Sequence, residues 1–271
     1  CSERLEPGDI APAYKLVHLN LINSKRIRMF LHAESNTAVD NELEGFLRVG
    51  TDFDQNYYDI RVPLKLTPPG STDPNVIWPT ENDVDVPLED LSYVKAERNK
   101  SGTPYNQIFS MALNGKIISI RGNPDYTSVQ VALIGIQNPI VNSKNHQICI
   151  WANELRTSGV NRNPGWAAMG TLNAKLADLA NVTASGSYKS SGFGSIDQKI
   201  TARQRNNNLQ YGAASNISME KFLPANTGIK VPLYVSYDRK VIKPEFDPTN
   251  PDLKLEQSLA SITDANEREA R

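Results

Sequence analysis

His32, in the run MFLHAES, is the histidine with the best claim to a catalytic role, because a serine lies close to it in sequence. Its imidazole could take a proton from a hydroxyl near neutral pH. The run reads as a strand, however, and a strand histidine bonded locally is the stronger reading. His18, His32, His146 and the two cysteines show no metal-ligand spacing. Asp52, Asp54 and Asn56 in TDFDQNYYD sit at alternate positions like the start of a calcium loop. They lack the glycine and closing glutamate of an EF-hand, so a solvated hairpin turn is expected instead. The acidic run NDVDVPLED (82–90) reads as another solvated loop. Trp78, Tyr57 and Tyr58 could line a sugar-binding face, although core packing is the ordinary fate of such aromatics.

Motifs for phosphate and acyl chemistry are absent. Neither G-x-G-x-x-G nor the Walker pattern occurs, and GFGS (192–195) leads into a polar loop rather than a helix. There is no G-x-S-x-G nucleophile elbow. Asn181-Val-Thr and Asn216-Ile-Ser match the glycosylation acceptor pattern, which is frequent by chance. Cys149, in HQICIWANEL, reads as a small buried hydrophobe. Cys1 could be a lipidated N-terminal cysteine, but no signal segment accompanies it, and the expectation is a sequence cut from something longer. No catalytic residue, cofactor or metal is expected.

Lys+Arg 29 against Asp+Glu 30 leaves a net charge of -1, so no global field attracts nucleic acid or an anionic membrane. Hydrophobic residues at 39% and aromatics at 7% suit a loop-rich, thin-layered protein better than a thick α/β core. No apolar run of about 18 residues is present, which excludes a transmembrane helix but not a β-barrel wall.

The elements expected are mostly strands. YKLVHLNL (14–21), RIRMFLHAE (26–34), KIISIRG (116–122), VQVALIGIQNP (129–139) and QICIWANELR (147–156) are apolar runs without helix caps. Residues 45–70 read as a hairpin whose second arm carries Pro63, implying an edge strand or an exposed-side position. EDLSYVKAERN (89–99) places Leu91, Val94 and Lys95 at helical spacing. Residues 8–156 thus predict an antiparallel, jelly-roll-like β-sandwich. Beyond Arg156 the texture changes to alternating strands of about 7–11 residues, the length of a tilted membrane strand. They are GTLNAKLADL (170–179), Val182–Tyr188, LQYGAASNISM (209–219) and IKVPLYVSY (229–237). Residues 246–271 read as a Pro-containing linker with a short helix.

Several long segments resemble one family. They are MFLHAE (29–34), FLRVGTDFDQNYYDIRVPLKLTP (46–68), IWPTENDVDV (77–86), VQVALIGIQNP (129–139) and IWANELR (150–156). GWAAMGTLNAKLADLANVTASGSYKSSGFGSIDQ (165–198) and EFDPTNPDLKLEQSL (245–259) complete the set. They resemble the SprA/Sov family, the giant outer-membrane translocon of the Bacteroidetes type IX secretion system, also tied to gliding motility. The resemblance implies an internal fragment of a much longer chain that forms a very large β-barrel with a protein-conducting pore. It implies a bacterial outer-membrane location, with parts exposed at the cell surface or periplasm. Implied partners are a PorV-like outer-membrane barrel protein, a plug protein, secreted substrates with C-terminal sorting domains, and the rest of the same chain. It implies no enzymatic activity. The strands present are too few to close even the smallest barrel, which needs about eight.

On this reading residues 157–245 supply barrel-wall strands and their loops. Thr183, Ser185, Ser187, Gln210 and Lys230 are the candidate lumen-facing residues. Val182, Leu209, Tyr211, Val231, Leu233 and Val235 are the candidate lipid-facing ones. The alternative is a carbohydrate-binding sandwich that holds a glycan against Trp78 or Tyr57, and a secreted hydrolase built on His32 is a third class.

Overall fold

The computed structural model describes residues 1–160, 162, 164–199, 202–224, 228–262 and 268. The chain is mainly β, with antiparallel sheets, and none of the sheets closes into a barrel. It divides into two compact units, one of residues 1–161 with 249–271 and the other of residues 162–248.

The first unit contains two sheets. One has six strands in the order β2 (Ile10–Leu19), β9 (Val129–Gln137), β4 (Glu44–Gly50), β5 (Tyr57–Pro63), β8 (Lys116–Arg121) and β7 (Phe109–Leu113). The other has four, in the order β1 (Ser2–Leu5), β10 (His146–Val160), β3 (Ser24–Glu34) and β6 (Val84–Pro87). One core joins them. Leu47, Tyr58, Ile60, Val62, Ile118 and Ile120 from the first sheet are buried in the same cluster as Ile27, Met29, Leu31 and Val84 from the second. These side chains recur at alternate positions, as the period of a strand requires when one face meets a core.

Some local expectations change. The acidic run at 82–90 is not a solvated loop: Val84 and Val86 are buried, and Asp85 meets Arg26 at 2.6 Å on the opposite face. Pro63 lies in an interior strand, yet the ladder to β8 ends at Arg61–Ile117, so its missing donor costs no bond on that side. Cys149 is not an inert hydrophobe: it forms a disulfide with Cys1, which ties β1 to β10 and also removes the thiol that a lipidated Cys1 would need.

The unit also holds a short helix, α1 (Pro74–Ile77), which buries no residue, and α2 (Leu88–Ser101), which packs on the core. Helix α2 covers the expected 89–99 and buries Leu88, Leu91, Val94, Lys95 and Arg98 at three- and four-residue steps. Gly102, in the left-handed region at φ 72°, ends it. The C-terminal segment is more than a linker. Strand β16 (Asn250–Lys254) and helix α3 (Leu255–Ser261) belong to the first unit, and Asp252 and Leu253 are wholly buried.

The second unit is a four-stranded meander, β11 (Ala167–Leu176), β12 (Ala180–Lys189), β13 (Asn206–Ser218) and β14 (Pro232–Pro244), followed by the short β15 (Phe246–Asp247). Ten residue pairs join β11 to β12, in unbroken register from Ala167–Lys189 to Leu176–Ala180.

Candidate functional site

The register of the meander aligns whole rows of side chains. Leu172, Ala184, Ala213 and Tyr237 form one cross-strand row, and Ala174, Val182, Ser215 and Val235 form the next. Leu176, Ala180, Ile217 and Leu233 make a third on the same face, and Ala168, Tyr188, Leu209 and Val241 make a fourth. Between the first and fourth of these runs Gly170, Gly186, Tyr211 and Arg239. Because side chains alternate across a pleated sheet, the opposite face is fixed too. It carries Asn173, Thr183, Ala214 and Ser236 in one row and Thr171, Ser185, Gly212 and Asp238 in another. Met169, Ser187, Gln210 and Lys240 follow. One face is therefore mainly apolar and the other mainly polar, although the polar face also carries Met169 and, in its end rows, Tyr234 and Ile242.

The candidate residues sort onto these faces. Thr183, Ser185, Ser187 and Gln210 share the polar face. Val182, Leu209, Tyr211, Leu233 and Val235 share the apolar one. Lys230 and Val231 precede β14, which begins at Pro232, so the pleat assigns neither to a face. Val231 is tied instead to the segment after β13, its carbonyl accepting from the Met219 amide.

Neither face is built as a core. On the apolar face Leu172 is 66% exposed, Val235 52% and Tyr237 57%. The polar face holds local bonds such as Thr183 Oγ1 to Asn173 Oδ1 at 2.9 Å. Among the described residues, strands β11 and β14, of 10 and 13 residues, each have a single partner strand, which leaves one edge of each open. Such a surface can do little chemistry. It can separate an apolar medium from an aqueous one, provided that other strands cover its edges.

The other candidates resolve into structure. His32 is almost fully buried between Trp78 and Trp151, with ring centroids at 5.6 and 4.7 Å. Its Nδ1 lies 2.7 Å from the Ile77 carbonyl oxygen and 2.9 Å from Thr67 Oγ1, and its Nε2 lies 3.2 Å from Glu34. Both ring nitrogens are thus engaged within the fold. Asp52 caps its own loop, accepting from the Asp54, Gln55 and Asn56 amides and from Asn56 Nδ2. Partial desolvation pushes its carboxyl up, but these donors together outweigh it and hold the group below the usual carboxylate range. Tyr57 is 3% exposed under the Arg48 guanidinium, 3.9 Å from its ring centre, and offers no ring face to a sugar.

One cluster left no sequence signal. Asp252 accepts from Lys95 Nζ at 2.7 Å and from the Tyr58 hydroxyl at 2.6 Å, all three wholly buried. Ser92 and Tyr126 donate to its backbone carbonyl at 2.8 and 3.0 Å. Lys95 was legible only as a member of the helix's inward face, and Asp252 lay in a stretch that read as a linker. Their 157-residue separation hides the pair from any local pattern.

A search among curated proteins finds no match. A family profile described as SprA_N, motility related/secretion protein, matches residues 1–259, which spans both units. The chain belongs to the SprA_N family of motility-related and secretion proteins, in agreement with the SprA/Sov resemblance of its sequence segments.

Proposed function

We propose that the second unit is a piece of the wall of an outer-membrane, protein-conducting translocon. It passes folded type IX secretion substrates to the cell surface. The observation that carries this reading is the separation of an apolar from a polar face across four registered strands, both left exposed. Val182, Leu209, Tyr211, Leu233 and Val235 meet lipid, and Thr183, Ser185, Ser187 and Gln210 line a wet lumen. Strands from the rest of a longer chain pair with β11 and β14 and close a large β-barrel. The first unit is a jelly-roll-like sandwich carried by that wall. The Cys1–Cys149 disulfide supports a chain that matures outside the reducing cytoplasm.

The function is passage rather than reaction. A small, hydroxyl-rich lumen face holds water and offers a moving cargo no adhesive apolar patch. The partners proposed are a PorV-like barrel protein, a plug protein and substrates with C-terminal sorting domains.

Leu172→Arg, in the central row of the face, tests the assignment in the full-length protein, with Thr171→Arg, one residue before and on the other face, as its control. A charge on the lipid side near mid-depth costs about 2–4 kcal/mol, and on the lumen side close to nothing. Outer-membrane assembly, read by fractionation and heat-modifiable migration, should fall for Leu172→Arg and persist for Thr171→Arg. Equal tolerance of both substitutions would overturn the reading.

A further inference from the structure

We infer that the Arg239 end of the apolar face binds the phosphate-bearing headgroups of anionic lipid, which fixes that end at a membrane–water interface. The inference rests on the reading above that this face meets lipid.

Arg239 is the one charged residue among the twenty residues of the five rows on that face, and Lys243 stands beyond their end on the same side. Among the described residues no carboxylate forms an ion pair with it; its partners are the hydroxyls of Tyr211 and Tyr237. Tyr211 is its cross-strand neighbour, and Tyr237 follows two residues away on β14. The two tyrosine rings lie 6.3 Å apart. A guanidinium has five N–H donors and no acceptor. The two neighbouring phenol hydroxyls can donate as well. The cluster therefore presents donors, in the planar fork that matches phosphate oxygens.

Position supports the same ligand. The ten residues of β11 span roughly 34 Å, or about 25 Å once tilted as barrel strands are, which is the height of a lipid-facing apolar band. Arg239 lies in the row between the central one and one end of the face, and the opposite end carries only Leu176, Ala180, Ile217 and Leu233. The end bearing Arg239 also holds Trp166 against Tyr188, with ring centroids 4.6 Å apart. Aromatic rings and cations gather where headgroups lie, while a cation at mid-depth carries a penalty that fades toward the interface. Gly170 and Gly186, in the same row as Arg239, have no side-chain atom within 4 Å of where a Cβ would stand. They leave bare sheet beside the cation, where an acyl chain can lie.

The test uses the full-length protein in bilayers of phosphatidylcholine with one-quarter phosphatidylglycerol. A trace of phosphatidic acid carries a photoreactive diazirine either in the headgroup or at the acyl terminus. Adducts are mapped by mass spectrometry. The headgroup probe should label residues 237–241 and Trp166, and the acyl probe should label the rows of Val182 and Leu172. Arg239→Gln should lower headgroup labelling roughly fivefold and leave acyl labelling unchanged, and Arg239→Lys should restore most of it. Acyl labelling of the face with no headgroup adduct near Arg239 overturns this inference while the lipid-facing reading stands. An apolar face labelled by neither probe overturns that reading itself. Loss of headgroup labelling on adding millimolar inorganic phosphate would make this a soluble-anion site and also overturn the inference.

Discussion

Asp252 holds together parts of the first unit that the sequence keeps far apart. Its carboxylate lies between Lys95 and Tyr58, and its carbonyl accepts from Ser92 and Tyr126. Burial pushes the Asp252 carboxyl up and the Lys95 ammonium down, and each charge opposes that shift in the other. Removing one partner strands the other in a dry interior. Asp252→Ala should destabilise the first unit by about 3–5 kcal/mol in urea denaturation. Lys95→Met should also destabilise it, but the double variant should lose clearly less than the sum of the two. Strict additivity would mean that the pair is not coupled. At this scale the sequence was least informative. His32 and Asp52 stood out because their types do chemistry elsewhere, and both proved to serve local structure. Asp252 drew no notice because nothing in PTNPDLK marks a residue as buried; only the folded chain brings Lys95 to it.

Strands with strict alternation were legible as elements, because their burial is one-sided and leaves a period of two. Strand β3 and the Tyr58–Ile60–Val62 face of β5 are of this kind. Strand β6 was missed because it is only four residues long and Asp85 stands between its two buried valines in an acidic run. Strand β16 was missed because Pro248 precedes it, Pro251 lies within it, and within the strand only Leu253 announces a core. What docks these elements is polar. Tyr58 on β5 and Tyr126, ahead of β9, both reach β16, and Tyr126 also meets Ser92 of α2 at 3.0 Å. Burial raises the Tyr126 hydroxyl from its ordinary 10 to about 12, and the Tyr58 hydroxyl, buried beside Asp252, is raised well above its ordinary range. A group whose folded-state pKa is raised contributes fully below its unfolded value and loses that contribution as pH climbs through the folded one. The first unit should therefore weaken between pH 10 and about 12. Lys95, shifted downward, moves the other way and flattens the slope. Thermal unfolding across this range should show a falling midpoint, and amide exchange should speed in β16 before it does in β3. A midpoint that holds constant to pH 12 would mean that these hydroxyls do not dock the strand.

For the molecule as a whole, the two units meet opposite physical demands within one chain. The first buries a continuous apolar core between two sheets, as a domain in water must. Among the described residues, no second sheet pairs with that of the second unit, and side chains on both of its faces are exposed. This contrast was legible in the sequence as a change of texture after Arg156, from apolar runs to alternation with small residues. Register was not legible, because a two-residue period leaves open which side chains share a row. Residues 1–271 alone are predicted to self-associate in plain buffer through the apolar face and through the open edges of β11 and β14. Detergent covers the face but pairs no backbone, so micelles should shrink the assemblies without dispersing them. If, as proposed, further strands of a longer chain close those edges, the full-length chain should be a monomer in the same detergent. Sedimentation velocity distinguishes these states. A monodisperse 1–271 monomer in detergent-free buffer would show that water solvates the apolar face stably, and the membrane-wall assignment would then be wrong.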